Sequence, residues 1–233
     1  MKALVIIPTY NEMENIPEFI PSVLQQNSDL EILVVDDNSP DGTGDYVEKL
    51  SEKNSRVHVL RRKKKMGLGT AYVAGFKWAL EKDYERIFEM DADGSHSPEA
   101  LNVFLKESES ADLVLGSRYL NGKISVVNWD WKRLFLSYSA NLYTRIVTGM
   151  PFADATGGFK CFSRTALQSL DLRGLKSDGY CFQIETTHKL WKKGLKIKEI
   201  PIIFTDRTKG TSKMSGGIIS EAFLLVIKLR LFG

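Results

Sequence analysis

The 233-residue chain has only two cysteines, Cys161 and Cys181, and their spacing is not that of a metal site. So few cysteines exclude a disulfide-dense scaffold, and we expect both thiols to be reduced and buried in a core. No stretch reaches the roughly 18 uncharged apolar residues that a membrane-spanning helix needs. The apolar run at residues 1–8 is too short for a signal peptide and predicts a first strand instead.

The sequence also lacks a strong charge of either sign. Its 32 Lys and Arg residues nearly balance 29 Asp and Glu residues, for a net charge of +3, which argues against nucleic acid as a partner. The basic run at residues 61–65 is the main local exception, and it is either a solvated loop or a site for a polyphosphate or an anionic surface. Neither a P-loop nor a complete dinucleotide-binding glycine motif is present, so chemistry at the γ-phosphate of ATP is not expected.

The first half of the chain alternates short apolar runs with segments of helical periodicity. This order predicts βαβ units and a mostly parallel sheet flanked by helices, an α/β fold. Strands are predicted at residues 3–7, 31–35, 57–60, 86–90 and 113–115. Helices are predicted between them at residues 14–26, 41–53, 69–82 and 98–106.

Polar residues follow three of these predicted strands, where ligands of such sheets bind. Asp91 and Asp93 end the fourth strand one residue apart, and paired carboxylates with phosphate oxygens are typical ligands of Mg²⁺ or Mn²⁺. A solvated turn is the alternative for such a short motif. Because the other polar segments share this edge, we predict a metal–phosphate site.

The segments after the first and second strands fit a nucleoside beside that metal. Pro8 and Tyr10 are suited to flank a flat ring, and Glu12 to accept a hydrogen bond from a ribose hydroxyl. Asp36 and Asp37 offer carboxylates to base or ribose donors, although capping of the next helix is an alternative role. Together the three segments predict a nucleoside diphosphate pocket.

Two segments of the second half combine apolar or aromatic residues with basic ones. Residues 129–147 hold tryptophan, phenylalanine and tyrosine among Lys132, Arg133 and Arg145, and residues 218–232 predict an apolar or amphipathic C-terminal helix. Both segments are suited either to a membrane interface or to packing against the sheet. Residues 180–191 predict a further helix, and residues 195–204 a further strand.

Several motifs, in order along nearly the whole chain, resemble those of the inverting family-2 glycosyltransferases. They are IPTYNE at residues 7–12, VDDNSPDGT at 35–43, MDAD at 90–93 and GSRY at 116–119. Residues 131–141, 156–159 and 206–213 are similar to the dolichol-phosphate mannose synthase branch of this family.

The resemblance implies a GT-A, Rossmann-like fold with a C-terminal amphipathic helix. It implies one catalytic domain over residues 1–233, with a nucleotide-binding half at about 1–120, an acceptor-side half at about 121–233 and no transmembrane domain. The implied reaction transfers mannose from GDP-mannose, with inversion, to a polyprenyl (dolichyl or undecaprenyl) monophosphate, with Mg²⁺ or Mn²⁺ as cofactor. Such an enzyme is expected to be cytoplasmic and peripheral at the membrane face, alone or beside a membrane subunit.

The same resemblance implies roles for individual residues. The implied nucleoside contacts are Pro8, Tyr10, Glu12, Val35 and Asp37. The implied metal ligands are Asp91, Asp93 and Ser95, with Ala92 beside the ribose or diphosphate. The implied phosphate contacts are Arg118, Arg133 and Ser137, with Arg207 and Lys213 closing over the donor diphosphate. Asp93, Arg118, Arg133 and Ser137 form the expected catalytic set.

The sequence departs from this family at one metal position. Several relatives have glutamine two residues after the second aspartate, whereas this chain has Ser95, a poorer ligand that is expected to act directly or through water. His96 is either a substitute ligand or a residue of a solvent-exposed loop. The departure puts the third protein ligand in doubt and leaves the metal itself expected.

Three alternatives remain open at this stage. The first is transfer of glucose or a related sugar from a UDP donor to undecaprenyl phosphate. The second is transfer to a hydroxyl, which would need a general base, with Asp154, Asp178 or Glu185 as candidates. The third is a non-catalytic nucleotide-sugar-binding subunit. The Gln-x-x-Arg-Trp motif of processive polysaccharide synthases is absent from the sequence.

Overall fold

The computed structural model describes residues 1–175, 177–206 and 216–232, and within the last range it describes the side chains of residues 222–231. Most of the strands in this part of the chain form one mixed sheet, whose spatial order is given below. Its members in chain order are β1 (Ala3–Thr9), β2 (Leu30–Asp36), β3 (Val57–Arg61), β4 (Arg86–Glu89), β5 (Leu113–Ser117), β7 (Lys160–Ser163) and β8 (Ile197–Pro201). A separate small sheet pairs β6 (Val126–Val127) with β9 (Phe204–Thr205).

The large sheet has the order β3-β2-β1-β4-β7-β5-β8, and every pair in it is parallel except those made by β7. Helices connect and cover the strands. They are α1 (Ile16–Leu24), α2 (Thr43–Ser51), α3 (Leu68–Leu80), α4 (Leu101–Ser108), α5 (Trp131–Thr148), α6 (Arg164–Ser169), α7 (Gly179–Lys192) and α8 (Gly216–Phe232). The predicted fold class and the first five predicted strands are therefore confirmed, with ends that differ by up to two residues.

The central strands are apolar along their length because helices cover both faces of the sheet. In β1, Leu4 and Ile6 pack into the cluster under α3 and α7, whereas Val5 and Ile7 pack into the cluster under α1 and α4. Successive side chains of a strand point to opposite faces, so one run of apolar residues supplies both cores. Both cysteines are buried and reduced, as predicted.

In the second half of the sheet, one predicted strand is wrong and one strand was missed. The strand predicted at residues 195–204 is wrong as a single element, since β8 ends at Pro201 and β9 begins at Phe204 in the other sheet. The antiparallel strand β7 was not predicted, because it is four residues long and begins with a buried lysine, Lys160. The helix predicted at residues 98–106 begins with a 3₁₀ turn at Pro98–Ala100 before α4.

Among the aromatic residues of helix α5, Tyr143 is half-buried against the core and stacks on Phe223 of α8, whereas Trp131, Phe135 and Tyr138 are exposed. The buried positions of α5 are Asn141, Thr144 and Thr148, and α8 packs against α5 and α7 through Val226 and neighbouring side chains. No helix in the described ranges has the length and apolarity needed to cross a membrane.

Candidate functional site

The Asp91–Asp93 loop lies directly after β4, at the edge where the parallel strands end. Asp91 accepts a hydrogen bond from the buried Tyr72 hydroxyl (3.3 Å), and its backbone N–H donates to His96 Nδ1 (3.1 Å). Asp93 Oδ1 accepts from the backbone N–H of Ser95 (3.1 Å), while Ala92 between the two aspartates is buried. The loop therefore holds both carboxylates at the predicted edge of the sheet.

The donor set of this loop fits a hard divalent cation. Mg²⁺ and Mn²⁺ take one or two protein carboxylates and complete their coordination with phosphate oxygens and water, which Asp91 and Asp93 allow. The Ser95 hydroxyl is buried and has no hydrogen-bond partner among the described residues, so it is available to such a ligand shell. In the same part of the chain, no group of three His, Cys, Asp or Glu side chains forms a metal site by itself.

His96 is buried rather than exposed, so the solvent-exposed alternative is wrong. Its ring stacks on Phe159 at 4.9 Å between centroids, and Phe204 meets it edge-on at 5.5 Å. Burial lowers the pKa of His96 to about 4. The neutral ring thus accepts a hydrogen bond from the Asp91 backbone N–H at Nδ1 and helps to fix the conformation of the Asp91–Asp93 loop.

The segment after β1 brings the predicted nucleoside residues to the same edge. Tyr10 is 38% exposed, and the Lys65 ammonium lies 4.2 Å from the centre of its ring. Glu12 accepts a hydrogen bond from Asn15 Nδ2 (2.8 Å) and sits beside the start of α1. Pro8 is partly buried at the end of β1. The aromatic face of Tyr10 is therefore the accessible flat surface of this segment.

Asp37 lies beside β1, but its carboxylate already has a strong partner. Arg62 binds it through two nitrogens, with Nη2 at 2.7 Å from Oδ2, and the Met66 backbone N–H donates to the same oxygen (3.2 Å). Within the basic run 61–65, Arg61 and Arg62 therefore form ion pairs with carboxylates of the protein itself. Val35 is fully buried in the core, so a nucleoside contact from this residue has to come from its backbone.

Arg118 at the end of β5 is buried in a bidentate ion pair. Its Nε and Nη2 donate to Asp154 at 2.6 and 2.7 Å, and Nη2 also donates to Thr156 Oγ1 at 2.8 Å. Burial alone would raise the pKa of Asp154, but the Arg118 guanidinium outweighs it and holds that pKa below its usual range. In this structure Arg118 fixes the 154–156 loop, and two of its nitrogens are not free for phosphate.

Arg133 on α5 is a more accessible cation. Its guanidinium lies 4.3 Å from the Trp129 ring, and its Nη1 donates to Asp206 at 2.5 Å. Ser137, one turn further along α5, accepts a hydrogen bond from the Tyr119 hydroxyl (2.8 Å). Arg207 and Lys213, predicted to close over the diphosphate, lie outside the described residues.

The residues named as alternative general bases are all engaged in other contacts. Asp154 is buried against Arg118, Asp178 accepts from the backbone N–H of Gly69 (2.7 Å), and Glu185 is paired with Lys189 (2.6 Å) and the Ser177 hydroxyl. A general base has to reach the proton that it removes, and in this structure each of the three carboxylates instead contacts a protein group.

A buried polar cluster beneath the metal loop was not predicted from the sequence. Glu89 of β4 pairs in register with Lys160 of β7, and Gln183 of α7 lies beside them. Burial raises the pKa of Glu89 to about 7 and lowers that of Lys160 to about 8. The sequence signal was weak, because Glu89 is the last residue of β4 and Lys160 the first of β7, and a charged residue at the end of a strand is ordinarily exposed.

An apolar cavity of about 250 Å³ opens beside Arg133, between α5, α7 and α8. Arg133 and Ser137 line one part of it, and Tyr143, Ile184 and Val226 line its apolar part. The aromatic stripe of α5 runs along the outer side of this helix, with Trp131, Phe135, Tyr138, Leu142 and Ile146 all between 44% and 73% exposed.

Comparison with known proteins gives consistent results. A model described as glycosyl transferase family 2 matches residues 4–171. The polyprenol monophosphomannose synthase of Mycolicibacterium smegmatis is 48% identical over 227 residues, covering 97% of this chain and 85% of that protein. The undecaprenyl-phosphate mannosyltransferase of Micrococcus luteus is 44% identical over 228 residues, covering 98% of this chain and 93% of that protein.

Solved structures share the fold at low sequence identity. Glucosyl-3-phosphoglycerate synthase of Mycobacterium tuberculosis, in complex with phosphoglyceric acid, aligns with a TM-score of 0.72 at 17% identity, covering 98% of this chain and 80% of that chain. A mannosyltransferase of Pyrobaculum calidifontis, in complex with GDP-Man and Mn²⁺, aligns with a TM-score of 0.61 at 16% identity, covering 99% of this chain and 70% of that chain. These likenesses support the GT-A architecture.

Proposed function

The chain belongs to glycosyl transferase family 2, as its motifs predicted, and we propose that it transfers mannose from GDP-mannose to a polyprenyl monophosphate. The two mannosyltransferase relatives support the sugar and the lipid, because their names specify both. Within this chain, one observation carries the proposal. Arg133 lines the apolar cavity between α5, α7 and α8, so that a residue with a cation for a phosphate adjoins a groove for its lipid.

On the donor side, we assign the nucleoside to the edge formed by Tyr10, Glu12 and the Asp37–Arg62 ion pair. The diphosphate would then lie over the Asp91–Asp93 loop, with a divalent cation held by these two carboxylates. Such a cation stabilises the negative charge that develops on the departing diphosphate. Structural relatives solved in complex with Mn²⁺ and a nucleotide or nucleotide sugar support the use of a divalent cation. Arg207 and Lys213 remain predicted contacts of the same diphosphate.

On the acceptor side, the lipid phosphate needs no general base. Its second pKa is ~6, so it is largely a dianion at neutral pH and attacks as it stands. A phosphate oxygen of the lipid forms a bond to C1 of mannose, on the side opposite the leaving diphosphate. At the same time the bond from C1 to the β-phosphate oxygen breaks, and GDP leaves with the electron pair. Inversion follows from this single displacement, and Arg133 has only to hold the nucleophile in line.

We expect Arg133→Ala to raise the KM for polyprenyl phosphate by about tenfold to a hundredfold and to leave GDP-mannose binding unchanged. Charge-assisted hydrogen bonds of a guanidinium to phosphate are worth about 1.5–3 kcal/mol, which gives this range. Steady-state kinetics with each substrate varied in turn measures the effect.

Arg173→Ala is the matched control, because Arg173 is an exposed arginine outside α5 and outside the proposed site. It should change neither KM. An equal loss of GDP-mannose affinity in the Arg133 variant would move Arg133 to the donor side of the site.

We further propose that α5 lies at a membrane surface, where the lipid acceptor resides, so that the enzyme is peripheral at the cytoplasmic face. The exposed residues Trp131, Phe135, Tyr138, Leu142 and Ile146 recur at intervals of three or four and form one helical face. Lys132 and Arg145 supply cations for anionic headgroups. A tryptophan and a tyrosine on an otherwise apolar face are typical of interfacial helices.

The triple variant Trp131→Ser, Phe135→Ser, Ile146→Ser should bind vesicles of phosphatidylglycerol and phosphatidylcholine at least about tenfold more weakly. Burying even one such side chain in the membrane contributes about 1.5–3 kcal/mol. The loss of three should therefore exceed the roughly 1.4 kcal/mol that corresponds to a tenfold change in binding. Co-sedimentation with vesicles measures binding. Val103→Ser removes a comparably exposed side chain from α4 and serves as control; unchanged binding of the triple variant would refute α5 as the contact.

The second candidate, a UDP-glucose-type transferase, is favoured by the glucosyl-transferring structural relatives bound to UDP. Transfer assays with labelled GDP-mannose and UDP-glucose, each offered with polyprenyl monophosphate and Mn²⁺, separate the two. Organic-extractable label from GDP-mannose supports the proposal. If only UDP-glucose gives labelled lipid, the donor assignment is wrong, whereas the assignments of the metal loop and the acceptor cavity still hold.

A further inference from the structure

Arg133, the cation assigned to the acceptor phosphate, is paired with a carboxylate of the protein itself. Its Nη1 donates to Asp206 Oδ2 (2.5 Å), and the Trp129 ring lies 4.3 Å from the guanidinium. The pair is largely withdrawn from water, since the Arg133 side chain is 17% exposed and that of Asp206 25%. A guanidinium donates hydrogen bonds only in its own plane. An incoming anion therefore has to approach an edge of this group, and Asp206 already occupies one edge.

The small β6–β9 sheet holds the backbone of Asp206 beside α5. Val127 of β6 accepts a hydrogen bond from the Asp206 backbone N–H (3.0 Å), so the pairing of the two strands continues one residue past the end of β9. The preceding residue, Thr205, donates its backbone N–H to the carbonyl oxygen of Ser95 next to the metal loop (3.3 Å). Because the backbone is fixed in this way, the Asp206 carboxylate can leave Arg133 by rotation about its side-chain bonds alone.

A carboxylate and a phosphate are alternative partners of a guanidinium, because both accept charge-assisted hydrogen bonds from the same N–H groups. If Asp206 kept its position, a lipid phosphate bound to Arg133 would lie next to a second anion in a site that is shielded from water. Repulsion between like charges is strong in such surroundings. Exchange of the carboxylate for the phosphate avoids this repulsion and gives Arg133 a doubly charged partner in place of a singly charged one.

We propose that Asp206 is an internal competitor of the acceptor phosphate, which pairs with Arg133 in the acceptor-free protein and is displaced when the lipid phosphate binds. This inference rests on the proposed function, since that function assigns the phosphate to Arg133. The contact keeps the cation paired when no acceptor is bound. It also makes Asp206 a residue that sets the affinity for the acceptor without contacting it in the complex.

The test compares the wild type with Asp206→Asn, which keeps the size of the side chain and removes its charge. We expect the KM for polyprenyl phosphate to fall about threefold to tenfold, which corresponds to ~0.7–1.4 kcal/mol and is of the order of a partly exposed ion pair. The KM for GDP-mannose should stay unchanged. Asp206→Glu retains a carboxylate and should keep the KM for polyprenyl phosphate near that of the wild type. Asp45→Asn on α2 removes a carboxylate from an ion pair with Arg61 (2.6 Å) and is the matched control.

Calorimetry with farnesyl phosphate, a short prenyl phosphate, provides a second measurement that does not depend on turnover. In the absence of any donor, Asp206→Asn should bind this ligand more tightly than the wild type does, by the same threefold to tenfold or thereabouts. Farnesol has the same prenyl chain and no charge, so it does not compete with Asp206. It should bind the two proteins equally, which separates loss of the competing charge from a change in the cavity itself.

Three results would overturn the inference. A higher KM for polyprenyl phosphate in Asp206→Asn would show that Asp206 orients Arg133 in the complex, and an unchanged KM would show that the carboxylate and the phosphate do not compete. An equal fall in the KM for GDP-mannose would reduce the effect to overall charge. Failure of the proposed function shows separately, as a wild type that transfers no mannose to polyprenyl phosphate. Calorimetry then decides, because tighter binding of farnesyl phosphate by Asp206→Asn supports the inference, and equal or absent binding in both proteins overturns it.

Discussion

Asp93→Asn should lower the rate of sugar transfer by about a hundredfold to a thousandfold while the protein stays folded. The substitution removes one of the two carboxylates assigned to the metal, and loss of a single group that stabilises leaving-group charge typically costs about 10²–10³ in kcat. Asparagine keeps an oxygen that can accept the Ser95 N–H, so the loop retains its internal hydrogen bond. Transfer assays at saturating donor measure the rate, and Mn²⁺ titration followed by electron paramagnetic resonance measures the metal.

Asp83→Asn is the matched control, because the Asp83 side chain is 81% exposed and pairs with Lys2 at the surface. It should leave turnover unchanged. Wild-type turnover in the Asp93 variant, in a preparation that still melts cooperatively, would remove Asp93 from the metal site and with it the assigned position of the diphosphate.

The second large effect concerns stability. Asp154→Ala should lower the free energy of unfolding by about 3–5 kcal/mol, because it leaves the buried Arg118 charge without its partner. For a chain of this size, each kcal/mol shifts the melting temperature by about 2–4 °C, so a fall on the order of 10 °C is expected. Glu107→Ala removes a partner of the solvent-exposed Lys198 and should change stability by less than about 1 kcal/mol.

The pH dependence of this effect has a definite sign. The pKa of Asp154 is lower in the folded protein than in the unfolded chain, where an aspartate has a pKa of about 3.9. The ion pair therefore contributes its full stabilisation at neutral pH and loses it as the pH falls through the folded pKa. The difference in stability between wild type and Asp154→Ala should shrink below about pH 4. A difference that stays constant, or one under 1 kcal/mol at pH 7, would contradict the role of the pair.

The parts of the site that sequence could predict are those in which neighbouring residues act together. Asp91 and Asp93 lie one residue apart at the end of a strand, so the strand pattern alone placed both carboxylates at the ligand-binding edge. The alternation of strands and helices likewise predicted the parallel part of the sheet, because local periodicity reports which faces are buried. The family motifs then supplied residue roles that periodicity could not.

The parts that sequence could not predict depend on partners far apart in the chain. Arg118 finds Asp154 36 residues later, and Asp37 finds Arg62 25 residues later. From the sequence alone, each of these side chains could bind substrate. The structure shows that they pair with each other instead. Gln183 was an unremarked position inside a predicted helix, and only the fold brings it beside Glu89 and Lys160.

Helix α5 shows a different limit. The aromatic residues of 129–147 were evident, but either burial or exposure of their face fitted the sequence. The structure buries Asn141, Thr144 and Thr148 instead, since the Asn141 side chain is hydrogen-bonded to Thr156 of the 154–156 loop. A polar contact thus determines which face of the helix turns inward and leaves the aromatic stripe outward.

The most direct test of the proposed chemistry compares two acceptors, a polyprenyl monophosphate and the corresponding polyprenol. Each is incubated with labelled GDP-mannose and Mn²⁺, with and without excess EDTA, and the lipid product is extracted. Because the described site holds no free general base, we predict mild-acid-labile mannolipid from the phosphate only, and none after EDTA. Efficient transfer to the polyprenol, or transfer to the phosphate that persists in EDTA, would contradict the mechanism.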